Sequence, residues 1–313
     1  MILGYNGEPN TFGTCVLTLN VIVYQYGKVA STSLVTTLNK LRGVSAHQCH
    51  FFGEEAFRAT VTRLCNPDTN DYFFKHSLGQ LTENIRAYRE YHRKNRPPDD
   101  RCIILTVARE PFDWFRSSIV QEIEGHLPAL KLSLGCGDNS VALPSTIVTD
   151  GLDLLINRIH SALDTVDGDI DALTPAKRRQ LDQVMPFVNT DDFEAFLFIL
   201  SRFLQPHWWF RTQFTPEFGV DISAMRQLGG GLLSTDTPLG SVYLARYEDL
   251  SSAFDQLLVE EGLPKKALAR VNEGYSKLYA SEINAAFSTE AASRLKRRSV
   301  SEVTQVLGYA HPT

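Results

Sequence analysis

A strand-like apolar run that leads straight into a lysine-containing turn is the feature that most restricts how this chain can fold. The apolar run is Val16–Tyr24, the turn contains Lys28, and Ser31–Leu41 has the pattern of a helix that opens with small hydroxyl residues. The amide groups at a helix N-terminus, the hydroxyls and the ammonium group would then meet at one point, which suits an anion. The alternative is an ordinary strand–helix turn in which Ser or Thr serves as the N-cap.

Further short apolar runs bounded by turns or helices predict an α/β fold with three layers around a central parallel sheet. The other predicted strands are Tyr72–Lys75, Cys102–Val107 and Val242–Ala245. The helices predicted after the second and the last of these are Thr82–Asn95 and Ser251–Glu261, which end near proline or glycine.

Between about residues 121 and 240 the pattern changes to helical periodicity. The predicted helices of this stretch are Gly151–Val166, Thr174–Val188 and Asp191–Leu204. We interpret the stretch as a helical insertion, or lid, on the α/β core. The chain is therefore predicted to be a single domain, residues 1–313.

Composition and charge exclude several classes of protein. The 313 residues carry a net charge of −5, which gives a long nucleic acid no basic face to bind. Five cysteines without a CxxC pair, and a beginning without a signal-peptide pattern, predict a cytoplasmic protein. The longest apolar run is too short to span a bilayer. His47, Cys49 and His50 have no second ligand pair at the usual spacing, so no metal site is predicted.

The turn does not have the spacing of a nucleoside triphosphatase loop. That pattern requires a glycine five residues before Gly27, where the chain has Ile22, and a hydroxyl residue directly after the lysine, where it has Val29. The loop is therefore P-loop-like in its order of elements, but it lacks the hydroxyl group that would bind magnesium.

A second anion-binding pattern follows the third predicted strand. Arg109 comes at the end of this strand and Ser117 lies eight residues later, in a predicted helix. A guanidinium group and a hydroxyl group in these places can hold one phosphate from two sides. The alternative is a surface ion pair between Arg109 and Glu110 or Asp113, which is common and contributes little.

The two patterns together resemble the PAPS-dependent sulfotransferases (PAPS is 3′-phosphoadenylyl sulfate), in particular the heparan sulfate 2-O-sulfotransferases. The first resemblance is the sequence Lys-x-Ala-Ser-Thr-Ser from Lys28 to Ser33, although Gly27 stands where the family usually has proline. The second is the Arg–Ser pair. A third is the segment from Arg246 to Leu250, Arg-Tyr-Glu-Asp-Leu, which supports the fold.

The resemblance implies a sulfotransferase that binds PAPS and releases PAP. It assigns the 3′-phosphate to Arg109 and Ser117, and it makes Lys28 both a catalytic and a cofactor-binding residue. The residues that it assigns to the 5′-phosphosulfate are Gly27, Lys28, Val29, Ala30, Ser31, Thr32 and Ser33.

His76 is the predicted general base, because it follows the predicted strand Tyr72–Lys75 and a histidine near neutral pH can accept a proton. The related carbohydrate sulfotransferases carry a catalytic histidine in this interval. The alternative is a hydrogen-bonded histidine at a strand end without a catalytic role. Lys75 is either an acceptor-binding residue or a solvated lysine.

The segment Trp209-Phe210, followed by residues 217–221 and 275–295, resembles a bacterial family named for capsular polysaccharide synthesis. This resemblance favours a sugar hydroxyl as the acceptor, ahead of a small-molecule alcohol or amine. Trp209 and Arg211 are predicted to bind the acceptor, and packing in the core is the alternative for the aromatic residues. The alternative functions are a nucleotide-dependent kinase and a non-catalytic nucleotide-binding protein of capsule assembly.

Overall fold

A six-stranded sheet forms the centre of the protein in a computed structural model, which describes residues 18–65, 71–97, 100–133, 145–164, 166–172, 190–269 and 279–309. The strands in chain order are β1 (Thr18–Tyr24), β2 (Val44–Cys49), β3 (Asp100–Ala108), β4 (Arg226–Gly229), β5 (Leu232–Thr237) and β6 (Gly240–Arg246). Their order across the sheet is β2-β1-β3-β6-β5-β4.

The sheet is mostly parallel and helices flank it, which confirms the predicted α/β class. Strands β2, β1, β3 and β6 run parallel, whereas β5 pairs antiparallel with β6 and β4 pairs antiparallel with β5. The two antiparallel strands were not predicted. They lie between residues 226 and 237, so the stretch predicted as a helical insertion up to about residue 240 ends in strands. Gly229, Gly230 and Gly231, which have positive φ angles, connect the two strands of this hairpin.

The predicted second strand, Tyr72–Lys75, is wrong. These residues lie in a helix that spans Asp71–Tyr91, and the strand in this position of the sheet is Val44–Cys49. A short apolar run is equally compatible with a strand and with one turn of a helix. The true strand was missed because it is at the edge of the sheet, where four of its six residues are partly exposed and its sequence is largely polar.

Helices make up most of the remaining described residues. They are α1 (Ser31–Leu38), α2 (Glu54–Leu64), α3 (Asp71–Tyr91), α4 (Pro111–Ser133), α5 (Ser145–Asp164), α6 (Thr190–Trp209), α7 (Thr215–Phe218), α8 (Leu250–Glu260), α9 (Ala280–Ala286), α10 (Glu290–Arg298) and α11 (Glu302–Val306). The predicted helix Thr174–Val188 lies outside the described residues. Among those described, no helix has both the length and the apolar composition needed to cross a bilayer.

Two hydrophobic cores lie side by side, and helices α4 and α6 contribute to both. Trp114 of α4 and Trp209 of α6 are buried in the core around the sheet. Phe115 and Phe203, from the same two helices, are buried in a second core with α5, α9 and α10. Helices α4 and α6 therefore hold the sheet together with the residues of this second core, which form the helical half of the protein. Both helices also contact the loop after β1.

His207 is a buried histidine that joins α6 to the end of the chain. Its side chain is enclosed, and its Nδ1 lies 2.8 Å from the hydroxyl of Ser301, which caps α11. Burial lowers the pKa of His207 from 6.5 to about 3. The unfolded chain therefore takes up a proton below about pH 6.5 that the folded protein does not. The contribution of His207 to stability is complete above this pH and is lost as the pH falls towards 3.

We predict that the His207→Asn variant loses less stability in acid than the parent protein does. Between pH 6.5 and 5 the protonation of His207 in the unfolded chain should remove about 2 kcal/mol of unfolding free energy. Asparagine cannot take up this proton, so the variant should not lose that free energy, and it keeps a polar atom beside Ser301. Urea unfolding of parent and variant at pH 7 and pH 5 measures the difference. An equal loss of stability in both proteins would contradict the role assigned to His207.

Candidate functional site

The loop after β1 lies where the direction of the chain through the sheet reverses. From β1 the chain passes to β2 on one side, and it then crosses to β3 on the other side of β1. The carboxyl ends of β1 and β3 therefore border a crevice, which is the usual ligand position in open α/β sheets. Tyr26 and Arg109 meet at this crevice, because the backbone N–H of Arg109 donates to the hydroxyl of Tyr26 over 3.1 Å.

The backbone of this loop has an unusual conformation. Gly27, Lys28 and Ala30 have φ angles of 97°, 58° and 60°. Glycine adopts such angles at little cost, whereas a non-glycine residue there costs about 1–3 kcal/mol and persists only when its surroundings hold it in place. Two of the four non-glycine residues with positive φ in the described part of the chain belong to this one loop. The loop is therefore held by contacts from outside it.

Side chains from three elements bind three consecutive carbonyl oxygens of the loop. Gln205 Nε2 donates to the carbonyl of Tyr26 over 3.1 Å, Trp114 Nε1 to that of Gly27 over 2.6 Å, and Arg109 Nη1 to that of Lys28 over 3.3 Å.

This capture of the carbonyl groups also orients the amide groups of the loop. In a planar trans peptide the N–H group points away from the C=O group. The N–H groups of Lys28 and Val29 therefore point away from Trp114 and Arg109. Successive N–H groups turned to one side form a concave site for an anion.

Helix α1 opens directly from this loop without a side-chain cap. Its N-cap is Ala30, whose side chain accepts no hydrogen bond from the first turn. These N–H groups carry the positive end of the helix dipole. Of the predicted hydroxyl ligands, Ser31 and Ser33 are buried and Thr32 is exposed. Successive helical residues are about 100° apart, so the three hydroxyls do not point in one direction.

The ammonium group of Lys28 is bound by residues of α4. Its Nζ donates to Gln121 Oε1 and lies 3.7 Å from Glu122 Oε1. The second carboxylate oxygen of Glu122 lies 2.7 Å from Arg202 Nη2, on α6. Lys28 is thus connected to α6 through Glu122.

Arg109 lies over the aromatic ring of Tyr247, with its guanidinium carbon 4.5 Å from the ring centroid. Its Nε is buried and has no hydrogen-bond partner among the described residues. The predicted alternative was an ion pair with Glu110 or Asp113. Glu110 instead lies 3.4 Å from the ammonium of Lys296, and burial raises its pKa.

The other members of the second anion-binding pattern lie in α4. Asp113 pairs with Arg116 over 3.1 Å and so does not compete for Arg109. Ser117 lies in the second turn of the helix and is half-buried.

A histidine that the sequence analysis considered only for metal binding lies close to the loop. His50 follows β2, and Gln25 Nε2 lies 3.0 Å from its Nδ1 and 3.2 Å from its Nε2. The amide oxygen of the same Gln25 accepts from the N–H of Gly27. Gln48 Nε2 lies 3.2 Å from His50 Nε2 and 3.1 Å from the hydroxyl of Ser31. His50 is therefore one side chain away from the loop and from the start of α1.

His76 and Lys75 lie in α3 and not at the end of a strand. Their side chains lie outside the part of the structure that is described. His76 is eight residues before Asn84, which contacts the backbone of His50, and this spacing corresponds to about 12 Å along the helix. The His-x-x-His pattern of residues 47–50 was the available signal for His50. It was considered only for metal binding, because the strand that presents it was not predicted.

Trp209 does not form the predicted acceptor platform. Trp209 is 5% exposed, and its ring packs 4.8 Å from that of Tyr24 and 5.2 Å from that of Tyr26. It supports the loop from the core, so the packing alternative is correct for it. Arg211 is partly exposed and donates to the backbone carbonyl of Asp171 over 2.7 Å, and its contact with the acceptor stays a prediction.

Comparisons with models of known protein families, with curated proteins and with solved structures gave no match. Within the described residues, no group of three or more His, Cys, Asp and Glu side chains is placed to bind a metal ion. The site is therefore interpreted from its own residues.

We predict that Trp114→Phe weakens anion binding by the loop. Phenylalanine keeps an aromatic ring in the core but removes the donor to the carbonyl of Gly27, and one hydrogen bond contributes about 1 kcal/mol. The affinity for PAP should fall by about five- to tenfold in calorimetry. Trp208→Phe is the matched control, since its indole donates to Ile170 in the helical half. Equal affinities of the two variants for PAP would show that the carbonyl contact does not shape the loop.

Proposed function

We propose that this protein is a sulfotransferase that moves the sulfuryl group of PAPS to an acceptor hydroxyl or amine. The observation that carries the proposal is the capture of three consecutive loop carbonyls, which turns the N–H groups of Lys28 and Val29 away from Trp114 and Arg109, next to the start of α1. In this proposal the loop is a P-loop-like 5′-phosphosulfate site formed by residues 27–33.

The position of Arg109 supports a donor with two phosphate groups on one sugar. Its Nη1 contacts the carbonyl of Lys28, so a phosphate bound by Arg109 lies next to one bound by the loop. The 5′- and 3′-phosphates of a single ribose require such neighbouring sites. The unpaired Nε of Arg109 is a further donor for the 3′-phosphate, and Ser117 on α4 is the proposed second ligand.

The proposed reaction uses Lys28 and a histidine. The acceptor oxygen forms a bond to sulfur, the bond from sulfur to the bridging oxygen breaks, and the electron pair stays on the 5′-phosphate of the released PAP. Lys28 stabilises the charge that develops on the bridging oxygen. Because Gln121 and Glu122 bind this ammonium in the ligand-free protein, donor binding has to exchange those contacts.

The acceptor proton is proposed to pass to His50. The lone pair that now accepts from Gln25 can accept from an acceptor hydroxyl instead, since both groups are donors. His76 remains the alternative base that the sequence predicted.

The polar side chains beside Lys28 favour an acceptor rich in hydroxyl groups. Gln121, Glu122 and Arg202 form a cluster of donors and acceptors on α4 and α6. A sugar is therefore the first choice and a small-molecule alcohol or amine the second. The aromatic platform that was expected to favour a ring does not contribute, because Trp209 is buried.

The kinase alternative needs a hydroxyl group after the loop lysine, where Val29 is buried in the core. The non-catalytic alternative keeps the anion site but predicts no transfer. Thermal shift with PAP and with ATP–Mg²⁺ separates a sulfotransferase from a kinase. Transfer of label from ³⁵S-PAPS to acceptors, or hydrolysis of PAPS, separates an enzyme from a binding protein.

We predict that PAP raises the melting temperature and that Arg109→Ala removes most of this rise. A ligand that binds only the native state stabilises it, and the variant removes the guanidinium donors of the 3′-phosphate site. Arg116→Ala is the matched control, because Arg116 pairs with Asp113 one turn into α4. Equal shifts for parent, variant and control would exclude Arg109 from the 3′-phosphate site.

We predict that His50→Ala lowers turnover by about 10²–10⁴-fold while the affinity for PAP changes little, which is the usual effect of removing a general base. His76→Ala tests the alternative base, and His47→Ala is the control on the same strand. Loss of the acid limb of the pH–rate profile should accompany the loss of turnover. If His76→Ala loses turnover and His50→Ala does not, His76 is the base.

A further inference from the structure

Two completely buried side-chain amides contact His50 from different sides. Gln25 faces the imidazole ring, with its Nε2 3.0 Å from Nδ1. Asn84, on α3, accepts a hydrogen bond from the backbone N–H of His50 over 2.9 Å. Gln25 and the partly buried Gln48 therefore contact the ring, whereas Asn84 holds the backbone of the same residue.

The orientation of both amides is determined by groups that can only donate. The N–H of Gly27 donates to Gln25, so the oxygen of Gln25 faces Gly27 and its nitrogen faces the ring. The ring nitrogen that receives this N–H has to carry a lone pair, and the imidazole is therefore neutral. The backbone N–H of His50 orients the oxygen of Asn84 by the same reasoning.

Asparagine at position 84 lowers the stability of the fold if its only role is packing. Its Nδ2 is buried and has no hydrogen-bond partner among the described residues. An unpaired buried donor lowers stability, and an apolar side chain of the same size would avoid it. The contact with His50 gives a reason for asparagine at this position.

We propose that Gln25 and Asn84 are positioning residues that hold His50 as a neutral imidazole beside the donor loop. The proposal deepens the proposed function and rests on it, because it assumes that His50 accepts the acceptor proton. Gln25 also couples the two parts of the site, since one amide contacts both the loop and the histidine. Movement of the loop on donor binding would therefore be transmitted to the ring.

The charged groups on the elements around His50 are engaged with other partners. His47 on β2 lies 3.9 Å from Glu83 on α3, and Glu83 also pairs with Arg86. Glu54 at the start of α2 pairs with Arg58, and Lys28 in the loop lies beside Glu122. Glu217 on α7 lies over Gly53, three residues beyond His50. A carboxylate introduced at residue 25 would therefore be a new charge directly at the ring.

The first experiment follows the protonation of His50 by NMR titration of histidine-labelled protein, without any sulfuryl donor. His50→Gln assigns the resonance among the eight histidines. Gln25→Glu replaces the donor at the ring by a carboxylate, which should raise the titration midpoint by about one pH unit or more. Gln256→Glu is the matched control, because Gln256 lies partly exposed on α8, donates to Glu260 and should leave the midpoint unchanged. An unchanged midpoint in Gln25→Glu would overturn the proposal for Gln25.

The second experiment separates positioning from stability at residue 84. Asn84→Ala removes the acceptor of the His50 N–H and should lower kcat at least tenfold, with the KM for PAPS nearly unchanged. Asn84→Asp restores an acceptor and should recover most of kcat, with the acid limb of the pH–rate profile moved to higher pH. Asn157→Ala, an exposed asparagine of α5, is the matched control. Full activity of Asn84→Ala, or equal losses in the Ala and Asp variants, would overturn the role of Asn84.

The two experiments also distinguish this proposal from the proposed function. If no PAPS is hydrolysed or transferred by the parent protein, the proposed function fails, while the titration still reports whether Gln25 controls the ring. If Gln25→Glu does not fold, titration of Gln25→Met tests the same contact, because methionine removes the N–H donor that opposes protonation of the ring and should also raise the midpoint. An unchanged midpoint there would overturn the proposal.

Discussion

The arrangement of the site depends on the binding of three consecutive backbone carbonyls by Gln205, Trp114 and Arg109. Without these contacts the left-handed angles of Lys28 and Ala30 would relax, because each is unfavourable for a residue with a side chain. With them, the N–H groups of Lys28 and Val29 are oriented before a ligand arrives. Such preorganisation lowers the cost of binding an anion and of stabilising charge in a reaction.

This dependence explains why the helical half belongs to the site although it contributes few direct ligands. Helices α4 and α6 are buried in both cores, and each sends a donor to the loop. Pro206 lies directly between Gln205, which contacts the loop, and His207, which is bonded to Ser301. The contact between His207 and Ser301 thus fixes the position of α6. Through Gln205, the position of α6 in turn fixes that of the loop. Arg202 and Glu122 extend the same connection to Lys28.

The parts of the structure that the sequence predicted correctly are those with local signals. Strand β1, the turn and α1 follow one another in the chain, and strand β3 is a continuous buried run that ends at Arg109. Strand β2 was missed because an edge strand with polar side chains has no such run, and with it the position of His50 was missed. The roles of Trp114, Gln205 and Gln25 depend on contacts between distant segments, which no local pattern reports. The buried position of Trp209 has the same origin, because an aromatic cluster looks alike in sequence whether it faces the core or the solvent.

The carbonyl contacts also determine when the site forms during folding. Trp114 is 87 residues and Gln205 is 179 residues from the loop position that each one binds. Closing such distant contacts is slow compared with the formation of a local strand–turn–helix unit. A nascent chain that has completed β1 and α1 would therefore have the residues of the loop but not its shape. The ability to bind an anion would arise late, as one of the last properties that the folding chain acquires.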